Sequence, residues 1–231
     1  MTDTVRLVAL SAGLSTPSST RMLTDQLSRA TAAALGRDGA EVDVTTVELR
    51  EYAHDITDAL LTRFPSEKLS MVIESVRAAD AVIAVTPVFN VGPSGLFKTF
   101  FDAVDVDVWA GKPVLLGATA GTARHSLAID YAIRPMFGYL KAEVVPTVVF
   151  AASADFGADT EGQADEQPLG ARVRRAAAEL ATLLRAGTGA AAESAEESAD
   201  AVGSEAPAAS RSTLDAEFSD FVPMGTLLGK R

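Results

Sequence analysis

The sequence predicts an α/β protein built on a doubly wound parallel sheet. Two observations carry this. Short, apolar, β-branched runs alternate with amphipathic helical stretches along most of the chain. Hydrophobic residues make up 48% of the 231 positions, enough to cover both faces of a buried sheet.

Each element has its own local reason. Val5–Leu10 is an apolar run interrupted only by Arg6 and reads as a buried strand. Ser11–Ser19 is small and polar, hence a loop, and Thr20–Leu35 then carries Met22, Leu23, Leu27, Ala30 and Ala34 at helical spacing. Val42–Leu49 alternates apolar and polar residues, the pattern of a second strand. Arg50–Pro65 has no clear period and is expected as a long loop with room for one helical turn. Glu67–Ala78 presents Leu69, Val72, Ile73 and Val76 on one helical face. Ala81–Thr86, ending at Pro87, is apolar throughout and reads as a central strand. Pro93 and Ser94 open a helix over Ser94–Val104. Pro113–Ala118 and Val144–Phe150 are the fourth and fifth strands, and Leu127–Leu140 between them is a helix with an expected kink at Pro135. Leu169–Arg185 is the last regular helix.

Five strands joined by right-handed helical crossovers lead to the flavodoxin-like order 2-1-3-4-5. Ligands in that arrangement sit beyond the carboxyl ends of strands one, three and four. The loops that matter are therefore Ser11–Ser19, Pro87–Pro93 and Thr119–Ser126.

Composition excludes several chemistries. Without cysteine there is no disulfide, thiolate nucleophile, iron–sulfur cluster or cysteine-bound zinc. With two histidines, His54 and His125, no histidine-rich metal site is expected. A net charge of −11 argues against nucleic acid and anionic membranes as partners. The N-terminal apolar run is too short for a signal peptide or a membrane span, so the expected location is the cytoplasm.

The first loop, SAGLSTPSSTR, offers hydroxyls from Ser11, Ser15, Ser18, Ser19 and Thr20, with Gly13 for a tight turn, and leads into a helix N-terminus. Unpaired N–H groups and the helix dipole attract phosphate there. The same segment also reads as an ordinary capped helix start with Ser18 or Ser19 as cap. It carries neither G-x-x-x-x-G-K-[ST] nor G-x-G-x-x-G, the nucleotide fingerprints. In the second loop, TPVFNVGPSGLFK, Pro87 sets a turn, Val88 and Phe89 give an apolar surface for a flat ring, and Asn90 with the amides near Gly92 can donate to ring oxygens or nitrogens. Small residues in the third loop, ATAGTARH, let backbone approach a ligand. His125 reads more readily as a cap or surface residue than as a ligand contact.

The segments TPVFNVGPSGLFKTFFD and ATAGTARHSLAIDYAIRPMFGYLKAEVVPTVVFA resemble the NADPH-dependent FMN reductases, especially those that serve two-component flavin monooxygenases of the alkanesulfonate type. The resemblance spans about Val5 to Phe150 and implies a flavodoxin fold, a homodimer or homotetramer, FMN as cofactor, NADPH or NADH as reductant, and a monooxygenase partner. It implies that Ser11, Ser18, Ser19 and Thr20 hold the flavin phosphate. It further implies that Pro87, Val88, Phe89 and Asn90 line the isoalloxazine ring and that Thr119, Ala120 and Gly121 contact its other side. Tyr131 falls in a helix that such reductases use for subunit contact and that carries a π-bulge in some relatives. One departure stands out. Many relatives have an arginine in the phosphate loop, in a GS-x-R arrangement, whereas here the loop holds no basic residue before Arg21. Neutral donors and the helix end would then hold the phosphate, which leaves open whether FMN is a bound cofactor or a loosely held, released substrate, and leaves NADPH preference over NADH unsupported.

The implied reaction moves a hydride from nicotinamide C4 to flavin N5 and needs no protein acid or base, so no catalytic residue is expected. A quinone or azo-compound reductase, an electron-carrier flavodoxin and a flavin sensor are the competing readings of the same loops. By sequence the chain divides into a flavodoxin-like domain over 1–186, a linker over 187–212 and an apolar docking segment over 213–231. Ala186–Ser212 holds ten alanines, five acids and no aromatic residue, so a flexible linker is expected, with a weak helix as the alternative. The end of the chain regains Phe218, Phe221, Val222, Leu227 and Leu228.

Overall fold

The computed structural model describes residues 4–37, 39–157 and 168–200. The chain divides into two compact units, Met1–Gly189 and Ala190–Arg231, and the first carries the fold. Its strands are β1 (Val5–Ser11), β2 (Val42–Glu48), β3 (Ala81–Phe89), β4 (Gly92–Pro93), β5 (Pro113–Ala120), β6 (Glu143–Val144) and β7 (Val149–Ala152). The helices of the chain's described residues are α1 (Ser19–Gly36), α2 (Ala53–Thr62), α3 (Glu67–Ala78), α4 (Gly95–Ala103), α5 (Arg134–Tyr139) and α6 (Leu169–Asp200).

The order β2-β1-β3-β5-β6, parallel at each of these pairings, is the expected flavodoxin-like winding. The seven strands are the expected five plus two. β4 is a two-residue return that pairs antiparallel with the end of β3. The fifth strand is split: β6 pairs the start of β5, β7 pairs its end, and Pro146 lies in the gap. Proline lacks the N–H a ladder needs, which is why the run does not continue.

Side chains alternate across the central strands and feed two cores. Leu7, Ala9, Ile83, Val85 and Leu115 pack under α1 and α6. Val8, Leu10, Val82, Ala84, Val114 and Leu116 pack against α3, α4 and α5, where Phe97, Phe100, Phe101, Trp109 and Phe137 form one aromatic cluster. A period-2 strand buried on both sides requires this arrangement.

Two expectations are corrected. Residues 50–65, expected as a loop, contain a 3₁₀ turn (Leu49–Tyr52) and all of α2. Only Ile56 and Ala59 of α2 are buried, while Leu61 is left exposed, so the apolar period is blurred. Pro135 does not kink a continuous helix. It occupies the first turn of α5, where its missing N–H costs nothing, and the irregularity lies just before it, in a π-helical turn over Ile129–Ile133. Tyr131 sits in that turn and is exposed. α6 continues to Asp200, into the stretch where a weak helix is the alternative to a linker; residues 201–212 and the docking segment lie outside the described residues.

Candidate flavin site

The strand register brings the three loops to one edge. Ser11 at the end of β1 lies beside Val85 of β3 and Glu48 of β2, Pro87 of β3 lies beside Thr119 of β5, and Ala12 N–H donates to Val85 O at 2.9 Å. Each loop therefore leaves the sheet at the same carboxyl-end level, where α/β sheets bind ligands.

The first loop folds over its own hydroxyls. Ser18 is the N-cap of α1, extended at φ −124° and ψ 118°, and its Oγ accepts from Arg21 N at 3.2 Å. Its O–H remains a donor. No acidic residue occupies the first turn of α1, so the positive helix end is not locally neutralised. Ser11 Oγ is buried without a hydrogen-bond partner among the described residues. Buried hydroxyls are normally paired, so this group fits a polar ligand at the loop. Gly13 was expected for a tight turn, but its φ is not among the positive ones. Space is what it supplies: a Cβ there would lie 2.1 Å from Ser18 Oγ. Any side chain at this position would push the capping serine out of place.

Thr20 is tied to the third loop. It is buried, and its Oγ1 lies 2.8 Å from Thr119 Oγ1, joining the first loop to the third. One hydroxyl of the pair must donate to the other, so part of their capacity is already used. Ser19 is half-buried at the start of α1, and Ala120 and Gly121 continue from Thr119 toward solvent.

The second loop is a two-residue hairpin. β3 runs on through Pro87 to Phe89, so the turn falls at Asn90 and Val91 rather than at Pro87. Both turn residues have positive φ, +51° and +66°. That is the type I′ pattern that matches the strand twist, usually filled by Asn-Gly. Asparagine tolerates it, but a β-branched valine in the left-handed region is strained. Thr86 and Ser94 tie the hairpin base: Ser94 N–H donates to Thr86 Oγ1 at 3.0 Å and to Pro87 O at 3.0 Å. Alternation then separates the two expected ring contacts. Val88 is 8% exposed and belongs to the core, so only its backbone can face a ligand. Phe89 is 47% exposed and Asn90 is exposed, on the open side.

One residue that sequence reasoning overlooked also reaches this edge. Arg50 lies two positions past the end of β2 and bonds the first loop through Ser15 O at 3.2 Å and Thr16 Oγ1. It pairs with Glu48 at 2.7 Å, and Glu48 also binds Arg21 at 2.7 Å. The guanidinium of Arg21 is held mainly by Asp25, which raises its pKa, with Glu48 adding to the effect. The signal for Arg50 was its position, next to the strand that flanks β1. Among the described residues no cluster of His, Asp or Glu could hold a metal ion, and no helix is long and apolar enough to cross a membrane.

Comparison with known proteins fits this geometry. The family model of the NADPH-dependent FMN reductases matches residues 5–157, from β1 to just past β7. The chain belongs to this family. It is 34% identical to an FMN reductase (NADPH) of Pseudomonas aeruginosa over 80% of this chain and 95% of that protein. It is 33% identical to the NADH-dependent FMN reductase SfnF of Pseudomonas fluorescens, over 80% and 94%. An oxidoreductase of known structure from Corynebacterium diphtheriae is 45% identical and superposes with a TM-score of 0.73, covering 78% of this chain and 97% of that one. FMN and a reduced nicotinamide are thus the cofactors of the family to which this oxidoreductase belongs.

Proposed function

We propose that this chain reduces FMN with NADPH or NADH and releases reduced flavin for a partner monooxygenase. The observation that carries the reading is the convergence of a phosphate-type helix start, an exposed Phe89–Asn90 hairpin and a small-residue third loop at one sheet edge, within a family of FMN reductases. Bound there, FMN would supply the redox chemistry by accepting a hydride equivalent from nicotinamide C4 at N5.

The protein's share is binding and orientation. Ser11, Ser18 and Ser19 would hold the phosphate beside the α1 N-terminus, and Thr20, fixed by Thr119, would keep that loop in register with the third. Phe89 would give the ring an apolar wall, while Asn90 and the Gly92 region offer hydrogen-bond donors. Pro87, Thr119, Ala120 and Gly121 would contribute backbone close to the ring. The third loop has no aromatic residue to cover the opposite face, which leaves room for a nicotinamide to stack. No side chain is needed to move a proton. The exposed Leu127, Tyr131 and Tyr139, on and beside the π-helical turn, are suited to contact between copies of this chain.

The test is anaerobic mixing of NADPH, then NADH, with excess free FMN. Loss of the oxidised-flavin absorbance over many turnovers is expected. Bleaching limited to one flavin per chain would indicate an electron carrier or sensor, and the absence of FMN-stimulated nicotinamide oxidation with either reductant would sink the reading.

A further inference from the structure

We propose that Arg50 is the cation that recognises the flavin's terminal phosphate and makes this chain prefer FMN to riboflavin. The inference deepens the FMN-reductase reading and rests on it. It starts from a charge imbalance. A phosphate monoester brings about −1.5 to −2 charge at pH 7, and this chain is already at −11. The loop Ser11–Thr20 contains no basic residue. The α1 N-terminus supplies only about half a positive charge. Arg21, next in sequence, is turned to Asp25 and Glu48 through its side chain.

Arg50 reaches the loop from a different strand. The register pairs Ser11 with Glu48, so the residue two positions beyond β2 emerges beside the start of the loop. Its Nη1 donates to Ser15 O at 3.2 Å and to Thr16 Oγ1, and its Nη2 pairs with Glu48 Oε2 at 2.7 Å. Among the described residues these contacts leave Nε–H and one Nη2–H without a partner. The side chain is half-buried, at 30% exposure, which limits solvent screening of its charge. A second observation, on the neighbouring strand, points to a polar ligand: Ser11 Oγ, at the root of the loop, is buried and unpartnered among the described residues. Glu48 has two jobs here. It orients Arg50, and it is shared with Arg21, whose other partner is Asp25. A guanidinium fork suits phosphate oxygens better than an ammonium does.

The experiment titrates the intact protein with FMN and with riboflavin, read by quenching of flavin fluorescence, for wild type, Arg50→Gln and Arg50→Lys. Glutamine carries no charge and is too short to reach the Ser15 carbonyl that Nη1 bonds, so bracing of the loop is separated from recognition of the phosphate by comparing FMN with riboflavin. FMN should bind Arg50→Gln at least about tenfold more weakly, with a shallower dependence on salt, and Arg50→Lys should recover part of the loss. Riboflavin affinity should stay within about twofold in all three proteins, since it lacks the group that Arg50 recognises. An unchanged FMN affinity in Arg50→Gln, or an equal loss for both flavins, would overturn the assignment. Nicotinamide oxidation by the wild type is followed separately, so failure of the reductase reading would appear there and failure of the Arg50 assignment in the variants.

Discussion

Replacing Ser18 by alanine separates the two functions of the first loop. The hydroxyl caps α1 by accepting from Arg21 N at 3.2 Å. Losing an N-cap costs about 1 kcal/mol of stability, which for a domain of this size lowers the thermal midpoint by about 2–4 °C. The same oxygen still has its proton to donate, and the empty side of Gly13 holds it in place, since a Cβ there would come within 2.1 Å. A hydroxyl donating to a charged group contributes about 1.5–3 kcal/mol. The variant should therefore bind FMN between about tenfold and about a hundredfold more weakly, at 1.4 kcal/mol per factor of ten. Riboflavin has no phosphate and should change by less than about twofold. Fluorescence titration with both flavins, beside a thermal melt, reads the two effects independently. If both flavins lose affinity in the same proportion, the damage comes from the loosened helix start, and the serine does not see phosphate.

Two further outcomes follow from features outside that loop. Val91→Gly should raise the denaturation midpoint by the equivalent of about 1 kcal/mol, because valine at φ +66° is strained and glycine is not; a lower midpoint would show that the turn is not under strain. Glu179 is pushed up by burial, but bonds from Thr147 Oγ1 and N–H, with Arg175 adding, outweigh this and bring its pKa below the usual carboxylate value. A depressed carboxylate stabilises the fold above its unfolded pKa and loses that contribution as pH falls through the folded one. Glu179→Gln should accordingly melt below wild type at pH 7, the gap closing as pH drops below about 4, and a gap independent of pH would rule out the charge as its source.

The sheet was legible because each of its strands is a local pattern. Ala81–Thr86 and Pro113–Ala118 are continuous apolar runs of the kind only a doubly covered strand requires, and helices such as Glu67–Ala78 repeat at 3.6. Once strands and helices alternate, handedness and loop placement follow from the topology rather than from any single residue. What escaped has equally local causes. α2 buries two side chains and shows solvent a leucine, so its period carries almost no signal, and its C-cap, Arg63 at φ +66°, lacks the glycine that would have marked its end. Proline usually interrupts a ladder, so the sequence marks an end at Pro87. Here the strand runs on to Phe89: Pro87 still lies beside Thr119 of β5, and Val88 and Phe89 pair with the short return through Gly92–Pro93.

The site divides along the same line. Its individual loops could be read from sequence because hydroxyls, small residues and a helix start are each a property of a few neighbouring positions. The bonds that join them could not. Thr20 and Thr119 are 99 residues apart, and Arg50 lies 35 residues from Ser15. Those pairs exist only because β2, β1, β3 and β5 stand side by side with their carboxyl ends level. Alternation likewise assigns opposite tasks to adjacent residues: Val88 goes to the core and Phe89 to the open face, although a sequence treats them as one apolar pair. The loop's lack of its own arginine therefore does not mean that it lacks a cation. A loop at a sheet edge can take its charge from the end of the neighbouring strand, so the composition of one segment is a poor measure of the electrostatics at the place where that segment ends up.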